Sequence, residues 1–210
     1  MDKYEYNIKA DQIMKLIDRR DFKTAAKIAD GIDWRRVRNI NMLTNVGCVY
    51  QAVGRYADAK EIFQLARNRA PLGRRLVYQM ADVCIDAKEF EEAERYIQEF
   101  SELAPKDTAR FELLYQLSRR RGEPIEKQIA ILEEFKKQDF DEKWSFELAK
   151  LYHKAGYDQK CIAACDELVL WFGEGQYVDK AMELKMLHAP LSPSQQEKYI
   201  SRKKKQEAEE

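Results

Sequence analysis

The feature that most constrains this chain of 210 residues is a residue pattern that returns every 34 positions. The pattern is clearest in the stretch 41–71, which reads NMLTNVGCVYQAVGRYADAKEIFQLARNRAP. Small residues and a central aromatic residue return at this spacing, as Gly47 does at Ala81, Ala59 at Ala25 and Ala93, and Tyr56 at Phe22 and Phe90. A fixed period of this length indicates that one supersecondary unit is copied along the chain.

Each copy is predicted to be a pair of antiparallel helices. Residues 41–53 carry small and apolar side chains at the spacing of one helix face, namely Leu43, Val46, Gly47 and Tyr50. Gly54 is a stop signal, because glycine adopts positive φ without strain. A second helix follows, and Pro71 ends the unit because proline cannot continue the helical hydrogen bonds. Gly47 and Ala59 then stand where the two helices of an αα-hairpin approach closely.

The other copies follow the same pattern less completely. The position of Gly54 is filled by Lys88, Gly122 and Gly156 in successive copies, so one turn is predicted to form without glycine. The copy near residue 108 contains GEPIEKQIAILEEF, which slips by one residue after its turn. We therefore predict five hairpins over residues 6–175, with first residues near 6, 40, 74, 108 and 142.

This pattern resembles the tetratricopeptide repeat family. In one copy the family's signature is filled by Leu43, Gly47, Tyr50, Gly54, Tyr56, Ala59, Phe63, Ala66 and Pro71. The resemblance implies an all-α fold, a right-handed α-solenoid of antiparallel helix pairs. It also implies a non-catalytic scaffold or adaptor that binds a protein or peptide in the concave groove lined by one face of each first helix.

Residues 176–205 are predicted to form two capping helices, because the last repeat would otherwise leave apolar surface in water. The second of them begins with SPSQ. In this segment Ser192 suits the N-cap position, Pro193 suits the first helical position, and Gln195 completes a capping box. The last five residues, 206–210, are predicted to be a polar tail.

The composition argues against several classes of function. Lys and Arg together number 37, as do Asp and Glu, so no net charge attracts the chain to nucleic acid or anionic lipid. No apolar run approaches the roughly 18 residues of a membrane span, so no membrane insertion is predicted. The charged N-terminal segment lacks the apolar core of a signal peptide, which favours a cytoplasmic location.

The cysteines and histidines of the chain do not show the spacing of a catalytic site or of a metal site. Cys161 and Cys165 occupy core positions of the repeat, and a zinc site usually needs four ligands. His153 and His188 are far apart in sequence, and no nucleophile with an oriented base is evident. We therefore predict no enzymatic activity, no catalytic residue, no cofactor and no metal site.

The candidate partner-binding residues share the groove-facing phase of the first helices. They are Asn41, Thr44, Gln51, Arg75, Tyr78, Asp82, Glu112, Gln116, Arg119, Lys143, Phe146, Lys150 and His153. Positive charge is concentrated around Phe146, because Arg119, Lys143 and Lys150 share its phase. Cations beside an aromatic ring suit an acidic peptide with an apolar anchor residue, and this peptide class is the predicted partner.

Two other functions stay open from the sequence. The basic segments DWRRVR, PLGRRL, LSRRRG and SRKKK could bind nucleic acid, although acidic stretches such as KEFEEAERY lie between them. A terminal hairpin or the last helix could dock on a second copy of the chain, giving a homo-oligomer. Steep salt dependence of RNA binding would favour the first alternative, and a mass that rises with concentration would favour the second.

Overall fold

The computed structural model describes residues 3–70 and 73–209, with side chains as far as Lys203. Pro71, which is predicted to end the second hairpin, lies outside the described residues. Within them the chain forms twelve α-helices, one short 3-10 turn at Trp34–Arg36, and no strand. The predicted all-α class is therefore confirmed. None of the helices in this part of the chain is both long enough and apolar enough to cross a membrane.

The helices alternate along the chain between the first and the second helix position of the repeat. The first helices are α1 (Lys3–Asp18), α3 (Ile40–Ala52), α5 (Arg74–Asp86), α7 (Ala109–Arg121), α9 (Glu142–Lys154) and α11 (Gln176–Met186). The second helices are α2 (Phe22–Ala29), α4 (Tyr56–Arg67), α6 (Phe90–Leu103), α8 (Ile125–Gln138), α10 (Asp158–Phe172) and α12 (Pro193–Glu209). From Ile40 onward the first helices begin 33 to 35 residues apart, so α11 continues the period into the segment predicted to be a cap.

The chain divides into two compact units, Met1–Arg121 (unit 1) and Gly122–Glu210 (unit 2). In unit 1 the helices pack as the pairs α1 with α2, α3 with α4, and α5 with α6, and α7 packs on α5 and α6. In unit 2, α9 pairs with α10, α8 packs on α9, α11 packs on α9 and α10, and α12 packs on α11. Successive first helices also meet, because α3 contacts α5, α5 contacts α7, and α9 contacts α11.

Small residues bring the helices of a pair together, as the sequence predicts. Gly47 on α3 and Ala59 on α4 are both buried. The nearest side chain to Gly47 is the ring of Phe63, since a Cβ atom at residue 47 would lie only 2.6 Å from Phe63 Cδ1. Phe63 is itself fully buried, so no space remains for a methyl group. Glycine therefore lets α3 lie directly on an aromatic ring of α4.

The turns that follow α1, α3, α5, α7 and α9 share one backbone feature, a positive φ, whichever residue fills the position. Positive φ occurs at five positions 34 residues apart, with 58° at Arg20, 78° at Gly54, 61° at Lys88, 72° at Gly122 and 72° at Gly156. At Arg20, Gly54, Lys88 and Gly156 the next residue donates its N–H back across the turn, as Glu89 N does to Cys84 O at 2.9 Å. This is the long hydrogen bond of a Schellman C-cap, and Lys88 adopts the positive φ that it requires without the conformational freedom of glycine.

We expect Lys88→Gly to raise the free energy of unfolding by about 1 kcal/mol. A lysine in the left-handed region carries a steric cost of about 1–2 kcal/mol, which is partly offset because glycine loses more entropy on folding. Ala87→Gly is the matched control, because Ala87 has an ordinary helical φ of −72° and should lose stability instead. Urea denaturation measures both variants, and similar losses for the two would contradict this account of the turn.

The start of α12 carries the predicted capping box. Gln195 N donates to Ser192 Oγ at 3.3 Å, and Ser192 N donates to Gln195 Oε1 at 3.0 Å. Gln195 Oε1 also accepts from Lys185 Nζ at 3.0 Å, which ties α12 to α11. The helix runs to Glu209, past residue 205, where the predicted capping helices end. Residues 206–209 of the predicted polar tail are therefore helical, and Glu210 lies outside the described residues.

The cysteines lie within the helices, where the sequence places them. Cys161 and Cys165 are fully buried on α10, so their prediction as core residues is confirmed. Burial raises the pKa of the Cys84 thiol to about 12 and that of the half-buried Cys48 thiol to about 11. Thiols with a raised pKa form little thiolate at neutral pH and are therefore poor nucleophiles.

Candidate functional site

Successive first helices of unit 1 are joined by contacts between residues 31 positions apart. Three hydrogen bonds have this spacing: Asn45 Nδ2 to Met14 Sδ at 3.3 Å, Cys48 Sγ to Gln79 Oε1 at 3.2 Å, and Gln51 Nε2 to Asp82 Oδ2 at 2.7 Å. The spacing is one repeat less about one helical turn, so each bond joins equivalent faces of two neighbouring helices. These faces therefore form one surface across α1, α3 and α5.

The candidate residues of unit 1 differ in accessibility. Asn41, Arg75 and Arg119 are exposed, whereas Gln51, Tyr78, Asp82, Glu112 and Gln116 are half-buried. Thr44 is buried, with 4% of its surface exposed, and its Oγ1 donates to Ile40 O at 2.8 Å. The prediction that Thr44 lines the surface is therefore wrong. Its hydroxyl is satisfied within its own helix, so the short side chain is covered without leaving a polar atom unbonded.

An acidic pair on α5 is bonded to groups from its neighbouring helices. Gln51 Nε2 donates to Asp82 Oδ2 at 2.7 Å and to Asp86 Oδ2 at 2.9 Å. Arg120 Nη2 lies 2.8 Å from Asp86 Oδ1. Burial raises the pKa of Asp82, and the hydrogen bond from Gln51 opposes that shift. These groups are therefore engaged with one another before any partner binds.

Tyr78 is a second internally engaged residue of the unit 1 surface. Its ring meets the ring of Phe100 edge to face, with centroids 5.9 Å apart. Burial, followed by the nearby charge of Glu112, raises the pKa of Tyr78. The phenol therefore stays neutral across the physiological pH range, and much of its ring is occupied by packing against α6.

In unit 2 the spacing of 31 residues joins two aromatic rings. Phe146 on α9 lies against Tyr177 on α11, with centroids 5.8 Å apart and an interplanar angle of 45°. Both residues are half-buried, so part of each stays accessible to solvent. Lys150 Nζ lies 5.6 Å from the centroid of Phe146, and Lys180 Nζ lies 5.3 Å from that of Tyr177. We call these four residues, together with Lys143, the aromatic–lysine surface.

The three lysines of the aromatic–lysine surface are not equivalent. Lys150 forms an ion pair with Glu147, one turn away on α9. Lys143 Nζ lies 4.4 Å from the ring centroid of Trp144. Lys143 and Lys180 are exposed, and among the described residues neither is paired with a carboxylate. Two ammonium groups are thus available to a ligand, and the third is already partly neutralised.

Tyr177 and Lys180 are not among the residues predicted from the sequence, because residues 176–205 are predicted to form a cap. The signal that would have found them is the repeat phase. Tyr177 is 34 residues after Lys143, and Lys180 is 34 residues after Phe146. Counting α11 as a sixth first helix would therefore have added both residues to the candidate surface.

Arg119 belongs to a different unit from the rest of the predicted cationic cluster. Its guanidinium carbon lies 5.9 Å from the ring centroid of Tyr115, on the same helix of unit 1. Lys143, Phe146 and Lys150 all lie on α9 in unit 2. The aromatic–lysine surface is therefore defined without Arg119.

His153, the last candidate residue, meets the other histidine of the chain. His153 Nδ1 lies 2.7 Å from His188 Nε2, and His188 Nδ1 lies 3.1 Å from Asp158 Oδ1. The ring centroids are 4.9 Å apart and the ring planes meet at 78°. The two histidines are distant in sequence and meet in the fold. They are 35 residues apart in sequence, which is close to one repeat and places them at neighbouring positions of successive first helices.

The comparison with known families agrees with this repeat geometry. A model of the tetratricopeptide repeat family matches residues 50–117. This segment carries tetratricopeptide repeats. The matched segment runs from the end of α3 into α7 and so includes the turn at Gly54 and the pair α5 and α6. Among proteins of curated function, none matches the sequence.

Several solved structures resemble the tetratricopeptide repeat fold of this chain. A tetratricopeptide repeat protein from Parabacteroides merdae is 14% identical with a TM-score of 0.62, over 93% of this chain and 83% of that one. PilF from Pseudomonas aeruginosa is 16% identical with a TM-score of 0.59, over 94% and 88%. MamA from Desulfovibrio magneticus RS-1 is 17% identical with a TM-score of 0.56, over 87% and 96%. At these identities the likeness concerns the fold alone, which is an all-α tetratricopeptide repeat solenoid.

Proposed function

We propose that this tetratricopeptide repeat protein is a non-catalytic adaptor that binds a peptide segment of a partner protein on the aromatic–lysine surface. The segment carries carboxylates beside an apolar residue. One observation carries the proposal: Phe146 and Tyr177, from successive first helices, lie side by side with a lysine near the face of each ring. An apolar side chain fits against the rings, and carboxylates fit against the ammonium groups.

The rings and the lysines would contribute differently to binding. Exposed ion pairs are worth about 0–1 kcal/mol each and weaken as salt is added. The aromatic pair offers apolar area, and burying such area contributes roughly 25 cal/mol per Å². Affinity is therefore expected to depend mainly on the apolar anchor residue of the peptide. The preference for acidic peptides is expected to depend on Lys143 and Lys180.

The basic turns favour a peptide partner over nucleic acid, because several of the arginines in them are paired with acids. Four such ion pairs are Arg36 with Asp33 at 3.1 Å, Arg74 with Asp107 at 3.0 Å, Arg120 with Asp86 at 2.8 Å, and Arg121 with Glu94 at 2.6 Å. A nucleic-acid surface concentrates cations on one face so that they reach phosphates. Here each of these cations already has a carboxylate beside it.

We expect a fluorescent acidic peptide with a central leucine to bind more tightly than the same peptide with serine at that place, or than a neutral peptide that keeps the leucine. Phe146→Ala should weaken binding of the acidic leucine peptide about tenfold and leave the already weak binding of the serine peptide nearly unchanged. Lys143→Glu combined with Lys180→Glu should remove the preference for acidic peptides, with a smaller effect at high salt. Fluorescence anisotropy at two salt concentrations measures all of these affinities.

The matched control is Lys127→Glu combined with Lys198→Glu. These exposed lysines lie on α8 and α12 of the same unit, so the pair makes an equal change in net charge on other helices. The control should keep the preference for acidic peptides, and circular dichroism should show that all variants fold. If the neutral leucine peptide binds as tightly as the acidic one, or if the control variant loses binding equally, the surface is wrongly assigned.

A further inference from the structure

The chain contains two histidines, and they meet at one end of unit 2. His153 is exposed in the last turn of α9, and His188 follows α11 with 10% of its side chain exposed. Asp158, in the first turn of α10, accepts at 3.1 Å from His188 Nδ1. Residues from the end of α9, the start of α10 and the segment after α11 therefore form one cluster of nitrogen and oxygen ligand atoms, which the peptide surface does not use.

With both rings neutral, the hydrogen bonds assign one tautomer to each histidine. A carboxylate acceptor at His188 Nδ1 places the proton on that nitrogen and leaves a lone pair on Nε2. The 2.7 Å contact then requires His153 Nδ1 to donate to His188 Nε2. The arrangement is a carboxylate, an oriented imidazole and a second imidazole in line. A carboxylate that orients a metal-binding histidine in this way is a common partner in zinc sites.

We propose that His153 and His188 form a binding site for a divalent zinc ion, with Asp158 as the positioning residue. The ion takes the place of the proton between the two rings, and that proton moves from Nδ1 to Nε2 of His153. Each ring then gives the ion one lone pair, and no proton is released overall. Zn–N bonds of about 2.0–2.1 Å at a tetrahedral angle require the two nitrogens to lie about 3.3 Å apart. The exposed His153 has room to open the contact from 2.7 Å, and water completes the coordination.

A second cluster of possible ligands does not compete with this assignment. Cys84, Glu89 and Glu92 bring a thiol and two carboxylates close together. The ammonium of Lys60, however, already bonds to both carboxylates, and its distance to Glu92 Oε2 is 2.6 Å. Burial also raises the thiol pKa of Cys84 to about 12, whereas a metal needs the thiolate. That cluster has its own cation, whereas the histidine pair holds only a proton.

Zinc at this position would link the two helices that carry the aromatic–lysine surface. His153 is two turns beyond Phe146 on α9, and His188 lies two residues past the end of α11. An ion that binds the folded state and not the unfolded chain stabilises the fold by mass action. Zinc would therefore stabilise the contact between α9 and α11.

The test uses the full chain without a histidine tag, treated with chelator and then titrated with ZnCl2. Because the chain has two histidines, their ring signals in NMR spectra can be assigned with His153→Gln and His188→Gln. We expect both ring signals to shift with one equivalent of zinc, and calorimetry to show one site. Each histidine variant should lose the site. Asp158→Asn should weaken zinc binding at least tenfold. It should also change the ring ¹⁵N chemical shifts that report the tautomer of His188 before any zinc is added.

The control variants are Cys48→Ser and Glu92→Gln, which leave the histidine pair intact and should bind zinc as the wild type does. The proposal fails if zinc leaves the ring signals unshifted, or if His188→Gln binds zinc as tightly as the wild type. It also fails if Glu92→Gln abolishes binding while both histidine variants keep it. Unchanged zinc affinity in Asp158→Asn would remove the positioning role of that carboxylate.

Discussion

Gly47→Ala should lower the free energy of unfolding by about 2 kcal/mol, although alanine is the better helix former by about 1 kcal/mol. The new methyl carbon would lie 2.6 Å from Phe63 Cδ1 and 2.8 Å from Phe63 Cζ, whereas carbon atoms pack at about 3.5–4.0 Å. Phe63 is fully buried, so its ring cannot move aside without shifting other core side chains. Overpacking of this kind costs about 1–3 kcal/mol or more, and urea denaturation measures it.

A second substitution separates this clash from other causes. Phe63→Leu shortens the ring that the methyl group meets, so it should cost less in the Gly47→Ala background than in the wild type, a coupling of about 1 kcal/mol. Gly73→Ala is the control, because a Cβ atom there lies at ordinary distances of 3.5 and 3.8 Å from its neighbours. Gly73 is the N-cap of α5, so a loss of up to about 1 kcal/mol is expected from capping alone, without coupling to Phe63→Leu. Additive losses from Gly47→Ala and Phe63→Leu would contradict the packing described for α3 and α4.

Asp166→Ala should lower the free energy of unfolding by about 2 kcal/mol. Lys185 is 7% exposed, and its Nζ lies 2.5 Å from Asp166 Oδ1, which also accepts from Gln195 Nε2 at 2.6 Å. Removing the carboxylate leaves a buried ammonium with Gln195 Oε1 as its remaining protein acceptor among these groups. Breaking a buried pair from one side costs about 3–5 kcal/mol, and the side chain of Asp166 is 41% exposed, so water reduces the loss.

Removing the charge as well should recover much of that stability. Lys185→Met keeps the apolar stem and eliminates the ammonium, and replacement of a buried pair by apolar side chains is often neutral. Asp166→Ala should therefore cost far less in the Lys185→Met background. Glu134→Ala is the surface control, because its ion pair with Lys137 is exposed on both sides and should contribute little to stability. Equal losses at Asp166 with and without Lys185 would contradict the role of the pair.

The regular parts of the fold could be predicted because the sequence repeats them. A period of 34 residues places the helix pairs, and even the slip in GEPIEKQIAILEEF is present, since α8 begins 35 residues after α6 and α10 begins 33 after α8. The conformation at Lys88 was harder to predict, because lysine carries no local signal for positive φ. There the tertiary packing of α5 on α6 overrides the preference of the residue itself.

The candidate surface could be predicted only in part, because helical phase gives the direction of a side chain but not its neighbours. Thr44 has the phase of a groove residue and is covered, since its hydroxyl needs no partner outside its helix. Tyr177 and Lys180 contribute through α11, whose place in the repeat was hidden by its weak sequence pattern. Contacts between successive repeats, at spacings of 31 and 35 residues, decide which candidates meet.

The proposed binding surface is tested most directly by mapping, in amide NMR spectra of the full chain, where the acidic leucine peptide binds. The account predicts that the largest shifts fall within residues 143–150 and 177–180, on α9 and α11, and that Phe146→Ala removes them. Leu170 and Trp171 are 79% and 69% exposed on α10, and they offer the peptide an alternative apolar contact. Shifts centred on those two residues, or on the basic turns, would contradict the assignment of the surface to α9 and α11.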